Sequence, residues 1–207
     1  MQIRARAVGV TGAHGPLLEP TSLVVPPGTA VLVAGDPGTG HTALALVLAG
    51  RLRPTSGQVW PDPADLRRHV VPVDLPDVNE PEASLTLAGV VGEELAVNGL
   101  PSGRRAVADW LADRDADAYL KHRFDRVPPA VRCAVTLELA AGRPDAAVLV
   151  LDSPDRYHGD PAGWWALARA HVTPDRSVVV LCATTSAAAL DVPAVRIGDH
   201  TTDGESE

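Results

Sequence analysis

The stretch GDPGTGHT at residues 35–42 constrains the fold more than any other part of the chain. It follows the apolar run AVLVA at 30–34, which is typical of a buried parallel strand, and precedes ALALVLA at 43–49, which indicates a buried helix. A glycine-rich turn in this context directs backbone N–H groups and the positive end of the helix towards one point. The frame therefore predicts a phosphate-binding loop, with His41 at the position where the pattern has lysine.

Further apolar runs of strand length occur at residues 23–25, 147–151 and 177–182. The last two are continuous and do not alternate with polar residues, as in parallel strands that are covered on both faces. Helices are predicted at 42–52 and at 131–141. The fold class that follows is α/β, with a sheet that is mainly parallel.

The segment from residue 74 to residue 126 is rich in charge, proline and glycine, and contains amphipathic stretches at 87–97 and 104–120. We predict a helical subdomain, placed at 74–132, that is inserted into a nucleotide-binding core formed by residues 1–73 and 133–200. The polar and acidic end TTDGESE, residues 201–207, is predicted to be disordered.

Charge and hydropathy argue against nucleic acid as a partner and against insertion in a membrane. The chain of 207 residues has a net charge of −8 and no run of basic residues, so it lacks the clustered cations that nucleic-acid binding needs. No stretch approaches the roughly 18 apolar residues of a membrane-spanning helix, and MQIRARAVGV at residues 1–10 has no apolar stretch of signal-peptide length. We therefore expect a cytoplasmic protein. Cys133 and Cys182 lie in apolar surroundings and are interpreted as buried free thiols.

Three further stretches match the pattern of a known family. Residues 48–59 read LAGRLRPTSGQV, residues 15–28 read GPLLEPTSLVVPPG, and residues 148–155 read VLVLDSPD. They resemble, respectively, the segment after the phosphate loop, the segment before it and the second nucleotide motif of ATP-binding cassette proteins, the ATPase subunits of ABC transporters. The resemblance implies a P-loop NTPase fold of the cassette type, with antiparallel N-terminal strands and an inserted helical subdomain.

The resemblance also implies ligands and partners. ATP would bind at the loop, and Mg²⁺ would be held by Thr42 and by Asp152 at the end of the second motif. The partners would be a membrane permease subunit, which would place the chain at the inner face of the membrane, and a second cassette, identical or different. The residues implied to contact the nucleotide are Gly35, Asp36, Pro37, Gly38, Thr39, Gly40, His41 and Thr42.

The main departures from the family pattern fall at positions that serve hydrolysis. The family's lysine is a permanent cation at the terminal phosphates, whereas a neutral imidazole at His41 offers one N–H and no charge. Loss of a charge-assisted contact of about 1.5–3 kcal/mol would weaken ATP binding roughly 10- to 100-fold. The glutamate that activates water is replaced by Ser153, which has no basicity for that task. Asp155 is the nearest other carboxylate that could take its place.

Other motifs of the family are also altered. Where the serine-glycine signature would fall, RVPPAVR at 126–132 contains two prolines, which remove backbone N–H donors and are also suited to starting a helix. The histidine that senses the γ-phosphate is absent from ATTS at 183–186. Val73 stands in place of the glutamine that links the nucleotide to the transporter, with Asp77 and Asn79 as alternatives for that position.

Three further assignments depend on the same alignment. His14 is the one ring near the position that stacks on adenine, and is either that residue or an exposed loop histidine. The pair Asp160-Pro161 resembles the aspartate loop at the cassette dimer contact. Trp164 and Trp165 are predicted to anchor a helix to the core or to a subunit contact.

Three functional interpretations follow. The favoured one is a nucleotide-binding subunit of an ABC-type transport system whose altered motifs make hydrolysis weak or absent. The alternatives are a fully active ABC ATPase that drives a separate permease, and a scaffold or regulatory partner of an active cassette that binds no nucleotide. A small kinase is disfavoured by LAGRLRPTSGQV at 48–59.

Overall fold

The computed structural model describes residues 1–157 and 159–200. Among these residues the chain forms two sheets and seven α-helices. The strands are β1 (Ile3–Gly12), β2 (Gly15–Val25), β3 (Ala30–Gly35), β4 (Ser56–Trp60), β5 (Val70–Val73), β6 (Val148–Asp152), β7 (Ser177–Ala183) and β8 (Ala194–Arg196). The helices are α1 (His41–Leu48), α2 (Pro63–His69), α3 (Leu87–Val97), α4 (Arg104–Ala112), α5 (Pro129–Ala141), α6 (Pro161–Ala170) and α7 (Thr184–Leu190).

The central sheet has the order β5-β6-β7-β3-β8, and its paired strands are all parallel. Every residue of β6 and nearly every residue of β7 is buried, because helices or the second sheet cover both faces. The second sheet, of order β2-β1-β4, is antiparallel. The predicted α/β class and the antiparallel N-terminal strands are confirmed.

Three apolar clusters hold these layers together. The first lies between the antiparallel sheet, α1 and one face of the parallel sheet, and the second lies between the other face and α5, α6 and α7. The third lies among α3, α4 and one side of α5. Helix α5 therefore contributes to two clusters, and the predicted boundary between residues 132 and 133 falls inside it.

Two predicted helices are shorter than expected, for a local backbone reason. The helix predicted at 42–52 ends at Leu48, because Gly50 adopts φ 65 and the Arg51 N–H then returns to the Leu46 carbonyl. The helix predicted at 104–120 ends at Ala112, where Asp115 adopts φ 54 and the chain turns in a similar way.

Outside these two places the predictions agree closely. Helix α3 spans the predicted 87–97, and the apolar run at 23–25 is the end of the longer strand β2. The predicted disorder at 201–207 lies outside the described residues. Within residues 1–157 and 159–200, no helix combines the length and the apolar character needed to cross a membrane.

Candidate nucleotide site

The glycine-rich loop lies where β3 ends and α1 begins, beside the carboxyl ends of β6 and β7. Gly40 precedes the first helical residue with φ 110, and a Cβ at this position would collide with the Leu17 carbonyl oxygen. Gly38 has φ 86 with open space around it. Glycine is therefore required at residue 40 by both conformation and contact, and at residue 38 by conformation alone.

Hydrogen bonds within the loop fix its shape. The Asp36 carbonyl accepts from the Thr39 N–H at 3.1 Å and from the Thr39 hydroxyl at 2.7 Å. Leu44 donates the first helical hydrogen bond, to the Gly40 carbonyl at 2.8 Å. The amides that precede Leu44 in the first turn of α1 therefore have no helical acceptor. These amides and the positive end of the helix form a binding place for an anion.

The His41 side chain is directed towards the sheet. Its Nε2 lies 3.0 Å from the Cys182 carbonyl oxygen near the end of β7, and because a carbonyl only accepts, Nε2 is the donor. A Cβ placed on Gly35 would also be 3.0 Å from Nε2, so the ring covers the end of β3. The imidazole thus already has a partner inside the protein.

Thr42 and Asp152 meet at the carboxyl edge of the sheet. The Thr42 hydroxyl donates to Asp152 Oδ2 at 2.6 Å, and the Ser153 hydroxyl donates to Oδ1 at 2.8 Å. The Asp152 side chain is fully buried. One hydroxyl and one carboxylate suit Mg²⁺, which keeps several waters and takes its other ligands from phosphate oxygens. In the described part of the chain, no group of three or more His, Cys, Asp or Glu side chains is arranged to hold a metal alone.

Ser153 and Asp155 both have structural hydrogen bonds. Ser153 adopts φ 48 and its N–H donates to the Leu181 carbonyl at 2.8 Å. Asp155 Oδ2 accepts from the Ala183 N–H at 2.8 Å and from the Ser186 hydroxyl at 2.7 Å, at the start of α7. The other carboxylate considered for the role of the glutamate is therefore engaged in two hydrogen bonds at the start of that helix.

A side-chain contact joins the phosphate loop to α7. The Thr184 hydroxyl donates to Asp36 Oδ1 in a short hydrogen bond. Thr184 belongs to the ATTS stretch where the family has its sensing histidine. A neutral hydroxyl that faces the loop from this position holds the loop in place but adds no charge to the site.

The other residues singled out from the sequence lie in different surroundings. Val73 is buried at the end of β5, and Asn79 donates to the Pro72 carbonyl at 2.9 Å and accepts from the Leu75 N–H at 2.8 Å. Asp77 is exposed, with φ 58. His14 is exposed in the turn between β1 and β2.

The prolines and tryptophans singled out from the sequence lie at a helix start and in the core, whereas the dimer-contact role of Asp160 and Pro161 stays a prediction. Pro128 and Pro129 begin α5, and Asp160 begins α6 by accepting from the Ala162 N–H at 3.1 Å. Trp164 is buried in the cluster between α6 and the parallel sheet, and Trp165 packs partly against it. Trp164 therefore anchors a helix to the core, as the sequence predicts.

Sequence reasoning missed two residues beside the site, Asp74 and Arg156. Arg156 Nη1 donates to the Asp152 carbonyl at 2.8 Å, and its Nη2 lies 2.7 Å from Asp74 Oδ1. Burial raises the pKa of Asp74 to about 6, although the nearby Arg156 opposes the shift. No motif marks either residue, because their pairing joins positions 82 residues apart.

Relatives of known function match a limited part of the chain. The hemin import ATP-binding protein HmuV of Bordetella parapertussis is 41% identical over 66 residues, which is 32% of this chain and 25% of HmuV. The zinc import ATP-binding protein ZnuC of Pseudomonas fluorescens is 43% identical over 61 residues, which is 30% of this chain and 23% of ZnuC. The chain thus matches about a quarter of the length of these relatives. No protein-family model matches it.

Solved structures match over most of the chain. The bacterial ABC transporter cassette MJ0796, in its dimeric structure, superposes with a TM-score of 0.69 at 17% identity and covers 95% of both chains. The same cassette in a post-hydrolysis state bound to ADP and Pi superposes with a TM-score of 0.65 at 18% identity, and the match covers 87% of each chain.

The fold is that of a P-loop NTPase. More narrowly, it is the fold of an ABC ATP-binding cassette, and the resemblance predicted from the sequence is confirmed.

Proposed function

We propose that this chain is the cytoplasmic nucleotide-binding subunit of an ABC-type transport system, which binds Mg·ATP and hydrolyses it weakly or not at all. The observation that carries this proposal is the 2.6 Å pairing of Thr42 with the buried Asp152 beside the glycine-rich loop, next to Ser153 where a glutamate would serve hydrolysis. The import ATP-binding proteins described above support the nucleotide-binding and transport part of this proposal.

Each residue of the site has a role in binding. The first amides of α1 would bind phosphate oxygens, and Thr42 and Asp152 would hold Mg²⁺. When bound, the ion neutralises charge on the phosphates. His41 would contact a phosphate only by giving up its 3.0 Å hydrogen bond to the Cys182 carbonyl, which lowers the net gain from that contact.

The same geometry opposes hydrolysis. Ser153 donates to Asp152 and has no group that could accept a proton from water at neutral pH. Asp155 is engaged by Ala183 and Ser186 at the start of α7. Moving it towards a water molecule would leave the Ala183 N–H and the Ser186 hydroxyl without their acceptor.

The partners follow from the transport role. A membrane permease would hold the chain at the inner face of the membrane, and a second cassette, identical or different, would complete a dimer. The alternative of a scaffold that binds no nucleotide is favoured by one observation, that His41 turns its ring onto the Cys182 carbonyl. A fully active ATPase is the other alternative, supported by the retained Thr42 and Asp152.

Calorimetric titration with Mg·ATP tests the proposal. We expect micromolar binding by the native chain, weakened about tenfold in Thr42→Val and unchanged in the matched control Thr185→Val, an exposed threonine of α7. The effect of Thr42→Val should vanish when magnesium is chelated. Phosphate release should stay near background.

Other results would favour the alternatives. Absence of binding by the native chain, with recovery in His41→Lys, would indicate the scaffold. Magnesium-dependent turnover that Asp152→Asn abolishes would indicate the active ATPase. Copurification that returns neither a permease nor a second cassette would contradict the transport role.

A further inference from the structure

His171, the first residue after α6, is a buried titratable side chain outside the nucleotide site. The side chain is 9% exposed, and its Nδ1 lies 2.9 Å from the Leu167 carbonyl oxygen, one turn back along α6. Its Nε2 lies 3.3 Å from Oε1 of Glu138, which belongs to the neighbouring helix α5. The ring therefore lies between a backbone oxygen of α6 and a carboxylate of α5.

A neutral ring cannot satisfy both of these oxygens. A carbonyl and an ionised carboxylate only accept hydrogen bonds, and a neutral imidazole carries one N–H. With the proton on Nδ1, the lone pair of Nε2 faces Glu138, and with the proton on Nε2, the lone pair of Nδ1 faces the Leu167 carbonyl. An imidazolium carries an N–H on both nitrogens, so it is the one form of the ring that suits both oxygens.

Nε2 is the less satisfied of the two ring nitrogens. It is buried and has no hydrogen-bond partner within residues 1–157 and 159–200, whereas Nδ1 bonds the Leu167 carbonyl. The separation of 3.3 Å from Glu138 Oε1 is short enough for a hydrogen bond, so the direction of the contact and not its length prevents the bond. Because the Glu138 side chain is 39% exposed, it has room to rotate and align with a proton on Nε2.

Among the described residues, the other charged side chains at this contact are arginines. Arg114, which follows α4, donates to Glu138 Oε2 at 3.3 Å and leaves Oε1 to the ring. Arg176 lines the same cleft as Glu138 and donates to two backbone carbonyls near the end of α5, and Arg169 lies in the last turn of α6. Since arginine keeps its charge in proteins, a change of charge here must come from the ring or from Glu138.

We propose that His171 is a proton-dependent latch between α5 and α6, in which the protonated ring bonds both the Leu167 carbonyl and the Glu138 carboxylate, and the neutral ring keeps one of the two contacts. The latch stabilises the folded chain while the ring is protonated, and this contribution is lost as the pH rises and the proton leaves. The latch involves none of residues 35–42 and 152–155, so it does not depend on the proposed nucleotide binding.

A double-mutant cycle on the full chain, measured at two pH values, tests the latch. His171→Gln removes the ring that takes up the proton, and Glu138→Gln removes the charge that faces it. Urea unfolding of the native chain, the two single variants and the double variant gives the coupling between the residues. At about pH 5.5 the coupling should be about 3- to 10-fold in the equilibrium constant for unfolding, and at about pH 8 it should be less than about twofold.

Two controls separate the latch from general effects of charge. Glu93 is an exposed glutamate of α3, so the cycle of Glu93→Gln with His171→Gln should show no coupling at either pH. Arg114→Met, introduced into all four proteins of the first cycle, should leave the coupling at about pH 5.5 in place, because Arg114 binds Oε2 of Glu138 and not the oxygen that faces the ring.

Coupling that is equal at both pH values, larger at about pH 8 or absent at both would overturn the latch. If the variants at residue 171 do not fold, nitrogen NMR of the native chain, labelled at histidine, provides the test, with the ring identified by its contact with Leu167. Both ring nitrogens of His171 should carry a proton at about pH 5.5, and one of them at about pH 8. A ring nitrogen that stays unprotonated at the lower pH would also overturn the latch.

Discussion

The proposed nucleotide site has a binding half and a hydrolysis half, and the two halves differ in the chemistry of their side chains. The binding half, the glycine-rich loop with Thr42 and Asp152, keeps its motif and its buried hydrogen bond of 2.6 Å. In the hydrolysis half, the side chains of Ser153 and Asp155 make structural hydrogen bonds, since one donates to Asp152 and the other accepts from Ala183 and Ser186. The proposed site therefore combines side chains suited to holding a ligand with side chains that make structural hydrogen bonds.

The strongest test of this comparison is to restore the missing groups. In His41→Lys/Ser153→Glu, the added cation and base should raise the rate of ATP hydrolysis about 10²- to 10⁴-fold over the native chain, measured as phosphate release. The control is His41→Lys/Ser153→Gln, which has similar bulk and no basicity. Both variants share the strain of φ 48 at residue 153. Equal rates in the two would mean that the glutamate position does not limit hydrolysis.

A second change should disrupt the conformation of the glycine-rich loop in the binding half. Gly40→Ala places a Cβ against the Leu17 carbonyl at φ 110, so it should lower the free energy of unfolding by about 2–4 kcal/mol and abolish ATP binding. Gly38→Ala is the matched control, since φ 86 there is accompanied by open space, and it should cost about 1 kcal/mol. Urea unfolding measures both. Similar losses of unfolding free energy in the two variants would show that the close approach of residue 40 to Leu17 of β2 does not matter.

Most of the binding half could be predicted from the sequence, because it is local. The loop, Thr42 and the strand that precedes it are contiguous, whereas Asp152, 110 residues after Thr42, was assigned through the family resemblance of residues 148–155. Helix α3 was likewise predicted at its observed bounds. The ends of α1 and α4 were missed because single residues, Gly50 and Asp115, turn the chain through positive φ where the apolar pattern continues.

The contacts around the site could not be predicted, for a physical reason. The hydrogen bonds from His41 to Cys182 and from Arg156 to Asp74 join distant positions and depend on which strands are neighbours. A lone arginine after a strand has no pattern that distinguishes it from a solvated charge. The hydrogen bonds of Asp155 to Ala183 and Ser186 could likewise be found only once the position of α7 was known.

A single added charge in the phosphate loop should change the affinity for Mg·ATP. His41→Lys should tighten Mg·ATP binding about 10- to 100-fold, because a permanent cation replaces an imidazole whose Nε2 is hydrogen-bonded to the Cys182 carbonyl. Calorimetry measures the change. The control His14→Lys adds the same charge at an exposed turn and should have no effect. Unchanged affinity in His41→Lys would show that residue 41 does not reach the phosphates.

The smallest expected effect concerns Asp74, which joins the insertion to the hydrolysis half through Arg156. Its pKa is raised from 3.8 to about 6 by burial, so between these values the folded state binds more protons than the unfolded state. The free energy of unfolding should therefore rise as the pH falls, with Asp74 contributing about 1 kcal/mol from about pH 7 to about pH 5. Urea unfolding at the two pH values measures this contribution.

Asp74→Asn isolates that contribution, because every other titrating group is retained. The groups that face residue 74 are Arg156, Tyr157, Glu80 and Cys133, and they are the same in both proteins. The native chain should gain stability relative to the variant as the pH falls through about 6. If the two chains change in parallel, the effects of burial and of Arg156 on the pKa of Asp74 cancel each other.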